Sequence, residues 1–100
     1  MTIELLIDLG TQCMNARLAA TSATDGEAAP LLAQIAKIEK IVEQLFDHRR
    51  ETAGAISKAV HELHDAHISV RNAGSDLKRA LARLLVEDAY ERAMQAIISA

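Results

Sequence analysis

Apolar residues recur at alternating steps of three and four along most of the chain, which is the spacing of one face of an α-helix. The first such stripe consists of Leu6, Leu9, Cys13, Ala16 and Ala20. It predicts a first helix over residues 3–21 with Thr2 as its N-cap. Residues 22–28 contain Ser, Thr, Asp and Gly and are interpreted as a loop before Pro30, which fits the first turn of a helix.

Two further stripes follow this loop. The second consists of Leu31, Ile35, Ile38, Val42 and Leu45, and the third of Ile56, Val60, Leu63, His67, Val70, Gly74, Leu77, Leu81 and Leu84. Leu45 and Ile56 are separated by a heptad plus four residues, an offset that a continuous helix can absorb as a stutter. The pattern therefore predicts one long helix over residues 28–72.

A last helix is predicted over residues 76–98, after a break that contains Gly74 and offers Ser75 as the next N-cap. The chain is then a single helical domain, residues 1–100, of the all-α class. We expect an antiparallel helical bundle of coiled-coil-like hairpins, with three helices and a long central one. The alternative is a break near residues 50–53, which gives a compact four-helix bundle.

Composition agrees with a soluble helical domain. Half of the residues are hydrophobic, a quarter are charged, and Phe46 and Tyr90 are the only aromatic residues. No uninterrupted apolar run approaches the roughly 18–20 residues of a membrane span. A single cysteine, Cys13, excludes an internal disulfide, and a cytoplasmic chain is the default expectation.

The charge pattern favours a protein partner. The net charge is −3, with a weakly basic segment at residues 48–83 between two acidic ones. This segment lacks the interleaved aromatic residues that stack on nucleic-acid bases. We expect no nucleic-acid partner and no membrane partner.

The heptapeptide HELHDAH, residues 61–67, raises the question of a metal site or a catalytic histidine. His64 and His67 share a helix face, but a stable metal site needs three or four ligands. We therefore expect no metal and no cofactor. His67 falls on the third stripe, where a polar residue can fix register or partner choice.

His64 carries a second interpretation. Gly74 and Leu77 follow it at offsets that resemble those of histidine phosphotransfer domains, which are helical bundles of this size. The resemblance implies a signalling bundle phosphorylated at His64. His67 and Ile68 depart from it, since they stand where that family has a lysine and a small residue. Because no nucleophile elbow or phosphate-binding loop occurs, we do not expect an enzyme.

Two sets of residues are candidates for protein contacts. Small residues repeat every seven positions beside the third stripe and allow close helix approach, so we assign pairing specificity to His67, Ala59, Ala66 and Ala73, with Ala80 continuing the series. Beyond Leu84 the stripe becomes polar, and apolar character passes to another face. We predict that this face binds a partner through Val86, Tyr90, Met94 and Ile97.

These features together predict a small helical protein–protein interaction module that forms a homodimer. It would act as an adaptor, a secretion-type chaperone or an inhibitor by presenting apolar helix faces. In size, acidity and helical pattern the chain resembles small type III and flagellar export chaperones. Phosphotransfer through His64 is the second possibility, and metal binding is the third.

Overall fold

The computed structural model describes residues 2–22 and 29–99, which form four helices. They are α1 (Thr2–Ser22), α2 (Ala29–Phe46), α3 (Arg50–Arg71) and α4 (Asp76–Ile98). No strand occurs within these two ranges, so the all-α class is confirmed. Residues 23–28, which make up most of the predicted first loop, lie outside the described part.

The four helices form an antiparallel bundle. Each packs on its neighbours in the chain, α4 returns to pack on α1, and α1 also touches α3 across the diagonal. Over the described residues the backbones of α2 and α4 do not approach each other closely, whereas those of α1 and α3 do. Arg17 lies beside Glu87 and Gly10 beside Met94, which shows that α1 and α4 run in opposite directions.

The first two predicted stripes form much of the core. The buried residues of α1 are Leu9, Cys13, Ala16 and Ala20, and those of α2 are Leu31, Ile35, Ile38, Ile41 and Leu45. Leu6 and Val42 are half-buried at the edges of the same faces. Most helical stability in proteins comes from the packing of an apolar face, so the bundle is stabilised mainly by the shared burial of these stripes.

The prediction of a long central helix is wrong, and the four-helix alternative is correct. The break lies at residues 47–49, slightly earlier than the predicted 50–53. The Arg49 N–H donates a hydrogen bond to the Leu45 carbonyl at 2.8 Å, which ends α2. The Arg49 carbonyl accepts a hydrogen bond from the Ala53 N–H at 2.9 Å, which begins α3. Reversal here lets α3 fold back on α2, so that Leu45 and Ile56 enter one core.

The third stripe enters the core only as far as Val70. Its later residues Leu77, Leu81 and Leu84 are exposed, and α4 instead buries Ala82, Val86, Ala89 and Ala93. The cause is the break at residues 72–75, because helical phase does not carry through a non-helical segment. Ser75 begins α4 as predicted, since its Oγ accepts a hydrogen bond from the Lys78 N–H at 3.2 Å.

The burial of the alanines that repeat every seven residues decreases along the hairpin of α3 and α4. Ala59 and Ala66 are buried, Ala73 is half-buried and Ala80 is exposed. These two helices share the most extensive interface of the bundle. Their small side chains allow the close approach that the sequence predicts, while the pairing specificity assigned to them stays a prediction.

Ala66→Leu is therefore expected to lower the free energy of unfolding by about 1–3 kcal/mol, because the added carbons overfill a closed interface. Ala80→Leu, in the same heptad series but exposed, is the matched control and should change stability by less than about 0.5 kcal/mol. Urea denaturation followed by circular dichroism measures both. Equal effects of the two variants would contradict close packing at Ala66.

Candidate functional site

The three histidines of HELHDAH do not converge on one site. His61 is exposed and its Nδ1–H donates to the Ser57 carbonyl at 2.8 Å. His64 is half-buried in a cleft between α2 and α3, and His67 is fully buried. Within residues 2–22 and 29–99, no group of three or more His, Cys, Asp or Glu side chains is placed to hold a metal ion.

The cleft at His64 has a mixed lining. Its residues are Leu32, Ile35, Glu39, Val60, His61 and His64. Glu39 is the charged side chain of this set, so the cleft offers a phosphoryl group a negative neighbour and no Lys or Arg. Phosphorylation of His64 stays a prediction.

His67 caps the end of another helix. Its Nδ1 lies 3.2 Å from the carbonyl oxygen of Ala20. A carbonyl only accepts, so Nδ1 carries the proton and donates. Ala20 lies in the last turn of α1, where carbonyls lack intrahelical partners. The Nε2 atom of the same ring is buried without a hydrogen-bond partner in the described part of the chain. His67 thus has a structural task, and its role in pairing specificity stays a prediction.

Replacing His67 should test that task. We expect His67→Ala to lower the free energy of unfolding by about 2–5 kcal/mol, because it leaves a cavity and removes the donor to the Ala20 carbonyl. His61→Ala is the control from the same helix. Its ring is exposed, so a change of less than about 0.5 kcal/mol is expected. A His67→Ala variant as stable as the control would show that the cap contributes little.

Cys13 is unsuited to nucleophilic chemistry. It is a free cysteine in the core of the bundle, and burial raises the pKa of its thiol from 9.0 to about 11. The thiolate is the reactive form, so the folded protein keeps this group protonated at neutral pH. Cys13 acts as a small apolar side chain within the α1 stripe.

Thiol titration with Ellman's reagent at pH 8 should therefore be slow in the native protein, because the pKa shift reduces the thiolate fraction about a hundredfold. The same titration should be fast in urea, where the chain is unfolded. Because the unfolded chain releases this proton above pH 9.0 and the folded chain only near pH 11, Cys13 also lowers stability as the pH rises through that range. Cys13→Ala is the control that should remove both effects. Rapid native labelling would contradict the burial of this thiol.

The predicted partner-binding residues lie on the side of α4 that faces α1. Val86 is fully buried, and Tyr90, Met94 and Ile97 are half-buried. Partner binding through these four residues stays a prediction, although Val86 has no exposed surface in this conformation.

Arg17 fixes α1 against this face of α4. Its Nε donates to both carboxylate oxygens of Glu87, at 2.8 and 2.9 Å, and its guanidinium lies 5.0 Å from the centre of the Tyr90 ring. The hydrogen bond to Glu87 raises the pKa of Arg17 above its usual value. One side chain of α1 therefore holds α4 at two points, through an ion pair with Glu87 and a cation–π contact with Tyr90.

Met94 and Ile97 also line an apolar groove between α1 and α4. The groove has a volume of about 340 Å³, and its walls are formed by Ile3, Leu6, Ile7, Gly10, Thr11, Met14, Met94 and Ile97. At Gly10, within this lining, an added Cβ would come into ordinary contact with the Met94 Cε at 3.9 Å. Thr11 is the single polar side chain in this lining.

The α1 wall was not predicted from the sequence. Ile3, Ile7, Met14 and Leu18 are exposed and form a second stripe beside the core stripe. Their spacing of four and seven residues is also helical, so the signal was present. It was missed because one apolar stripe already accounted for the packing of α1.

Three exposed carboxylates lie close in sequence to residues that line the groove. Glu4 and Asp8 are exposed on α1 one turn from Ile7 or adjacent to it, and Glu91 is exposed on α4 one turn before Met94. The positive charge of Arg17 is balanced by Glu87. The arrangement therefore combines an apolar interior with negative surroundings, and we call it the α1–α4 groove.

The fold and this groove define the class of the protein as an antiparallel four-helix bundle. No family model matches the chain, and comparisons with curated proteins and with solved structures likewise give no match. Among the described helices, none is long and apolar enough to cross a membrane.

Proposed function

We propose that this protein is a small helical protein–protein interaction module that holds an amphipathic helix of a partner protein in the α1–α4 groove. The observation that supports it is the exposed apolar stripe of α1, which continues into a groove with an almost wholly apolar lining. An adaptor, a secretion-type chaperone or an inhibitor would each use such a surface in the same way.

The shape of the groove suits a helix. Contiguous exposed apolar surface on a small domain is a mark of an interaction site. Two helices that form a groove can accept the apolar face of a third, which inserts side chains at steps of three and four. Met14 and Met94 add flexible side chains that repack against partners of different shape.

The charge around the groove defines the partner further. Glu4, Asp8 and Glu91 place three carboxylates at its margins. A partner helix with Lys or Arg beside its apolar face would be attracted, whereas an acidic helix would be repelled. The expected ligand is thus a basic amphipathic helix.

Binding of a defined peptide tests this proposal. The probe is a fluorescein-labelled helical peptide with a leucine face and lysine flanks, and the readout is fluorescence anisotropy. We expect Ile7→Lys to weaken binding about tenfold or more, because it places a charge in the apolar wall. A peptide of the same pattern with glutamate flanks should bind more weakly to the unaltered protein.

Leu32→Lys is the matched control. Leu32 is also an exposed apolar residue, but it lies on α2 outside the groove, so its replacement should leave peptide affinity unchanged. Peptide binding that is insensitive to Ile7→Lys, or equally sensitive to both variants, would overturn the groove as the binding site. Circular dichroism should first establish that both variants keep the helical content of the unaltered chain.

A further inference from the structure

A second apolar surface lies on α4, away from the α1–α4 groove. Leu77, Leu81, Leu84 and Leu85 are exposed by 71, 54, 63 and 55 %. We call these four residues the leucine surface. They face away from Ala82 and Val86, through which α4 joins the core. Four large apolar side chains in three helical turns are more than a solvated surface ordinarily carries.

The charges of α4 are divided between its two halves. Residues 76–83 carry three basic side chains and one acidic side chain, whereas residues 84–98 carry three acidic side chains and one basic one. The helix dipole does not account for this order, since it favours anions near the N-terminus, where Lys78 and Arg79 lie. The leucine surface spans the boundary between the halves.

Ion pairs within the chain do not remove this asymmetry. Arg79 pairs with Asp76 inside the basic half, at 3.0 Å. In the acidic half Arg17 neutralises Glu87, but Arg92 is shared between Asp88 and a further carboxylate, Glu62 of α3. One end of the α4 surface is therefore basic and the other acidic.

A hollow lies at the acidic end of the same surface. It has a volume of about 500 Å³ between α3 and α4, and it is lined by Ala55, Lys58, Ala59, Glu62, Asp88, Glu91, Arg92 and Gln95. The small side chains of Ala55 and Ala59 leave the space open. The surface thus has projecting leucines at one end and a recess at the other.

We propose that this surface is a twofold interface with a second copy of the chain, in which the two α4 helices run antiparallel. That arrangement sets the basic half of each α4 against the acidic half of the other. The twofold axis then passes near Leu84 and Leu85, where the halves meet. Leu77 of each copy comes level with the Ala59 hollow of the other.

A second copy fits because a twofold interface must be complementary to itself. The α4 surface meets this requirement in charge and in shape, since each end matches the opposite end. The α1–α4 groove shows no such division, because the exposed charged residues next to its lining, Glu4, Asp8 and Glu91, are all acidic. The proposal is independent of the groove function, and the two surfaces lie on different sides of α4.

Sedimentation equilibrium of the full chain tests the proposal. The unaltered protein should have twice the chain mass of 10.8 kDa. Leu81→Glu should raise the dimer dissociation constant about tenfold or more, because it places a carboxylate in the apolar interface, level with the acidic half of the other copy's α4. Leu81 is already half-exposed, so the helical content of the variant should not change. Ile7→Glu, in the other apolar surface, is the matched control and should remain a dimer.

Disulfide trapping tests the antiparallel arrangement. Two cysteines join only when their Cα atoms lie within about 7 Å, so a single cysteine pairs with its copy only near the axis. Leu84→Cys should form a covalent dimer under mild oxidation, and Gln95→Cys, far from the axis, should not. Buried Cys13 provides no competing thiol. A monomeric unaltered protein, a Leu81→Glu variant that stays as tightly dimeric as the unaltered chain, or equal crosslinking at both positions would overturn the proposal.

Discussion

The structure depends on how α4 is attached to the bundle, which is through small side chains. Three of its four buried residues are alanines, Ala82, Ala89 and Ala93, and α3, with which it shares its most extensive interface, also buries alanines, among them Ala59 and Ala66. Small residues allow the two helices to approach closely, but each buries little apolar area. The close approach determines which face of α4 turns inward, and its leucines therefore remain outside.

Polar contacts hold this orientation without replacing apolar burial. Arg17 of α1 and Glu62 of α3 reach α4 from its two sides and bind Glu87 and Arg92. Exposed ion pairs of this kind contribute little stability, on the order of 0–1 kcal/mol each. Their geometric effect is greater, because they limit rotation of α4 about its axis. Rotation toward the leucines would separate both pairs, so the same contacts keep the leucine surface exposed.

The sequence allowed prediction of the helices and of most of the core, but not of every boundary. The bounds of α1 follow from one long periodic stripe, and the start of α4 follows from the break at residues 72–75, where Ser75 gives the helix a side-chain cap. The break before α3 lacks such a signal: residues 47–49 contain no Gly or Pro, and Arg49 at the N-cap makes no side-chain hydrogen bond. Only the free energy gained by burying Leu45 and Ile56 together favours a reversal of the chain over a continuous helix with a stutter. That free energy depends on tertiary contacts, which the local sequence does not show.

The candidate surfaces were harder to predict for a related reason. Periodicity shows that apolar character changes face along α4, but it does not show which face is inward. The size of the leucine side chains suggests that the leucine face of α4 is buried. The small alanines of α3 instead favour burial of the alanine face. The same ambiguity hid the outer stripe of α1, whose apolar arc is wider than one core can cover. In a small bundle with narrow interfaces between its helices, the apolar residues that these interfaces do not cover remain exposed at the surface.

Two such surfaces on different sides of α4 have a joint consequence. A dimer formed through the leucine surface would leave the α1–α4 groove of each copy open and would relate the two grooves by the twofold axis. A partner with two basic amphipathic helices could then occupy both, and the second binding event would be intramolecular. Effective concentration would raise the apparent affinity well above that of one groove, without any new contact. Modest apolar grooves on a small chain would in that way suffice for stable capture, which links the self-association of α4 to the recognition surface of α1.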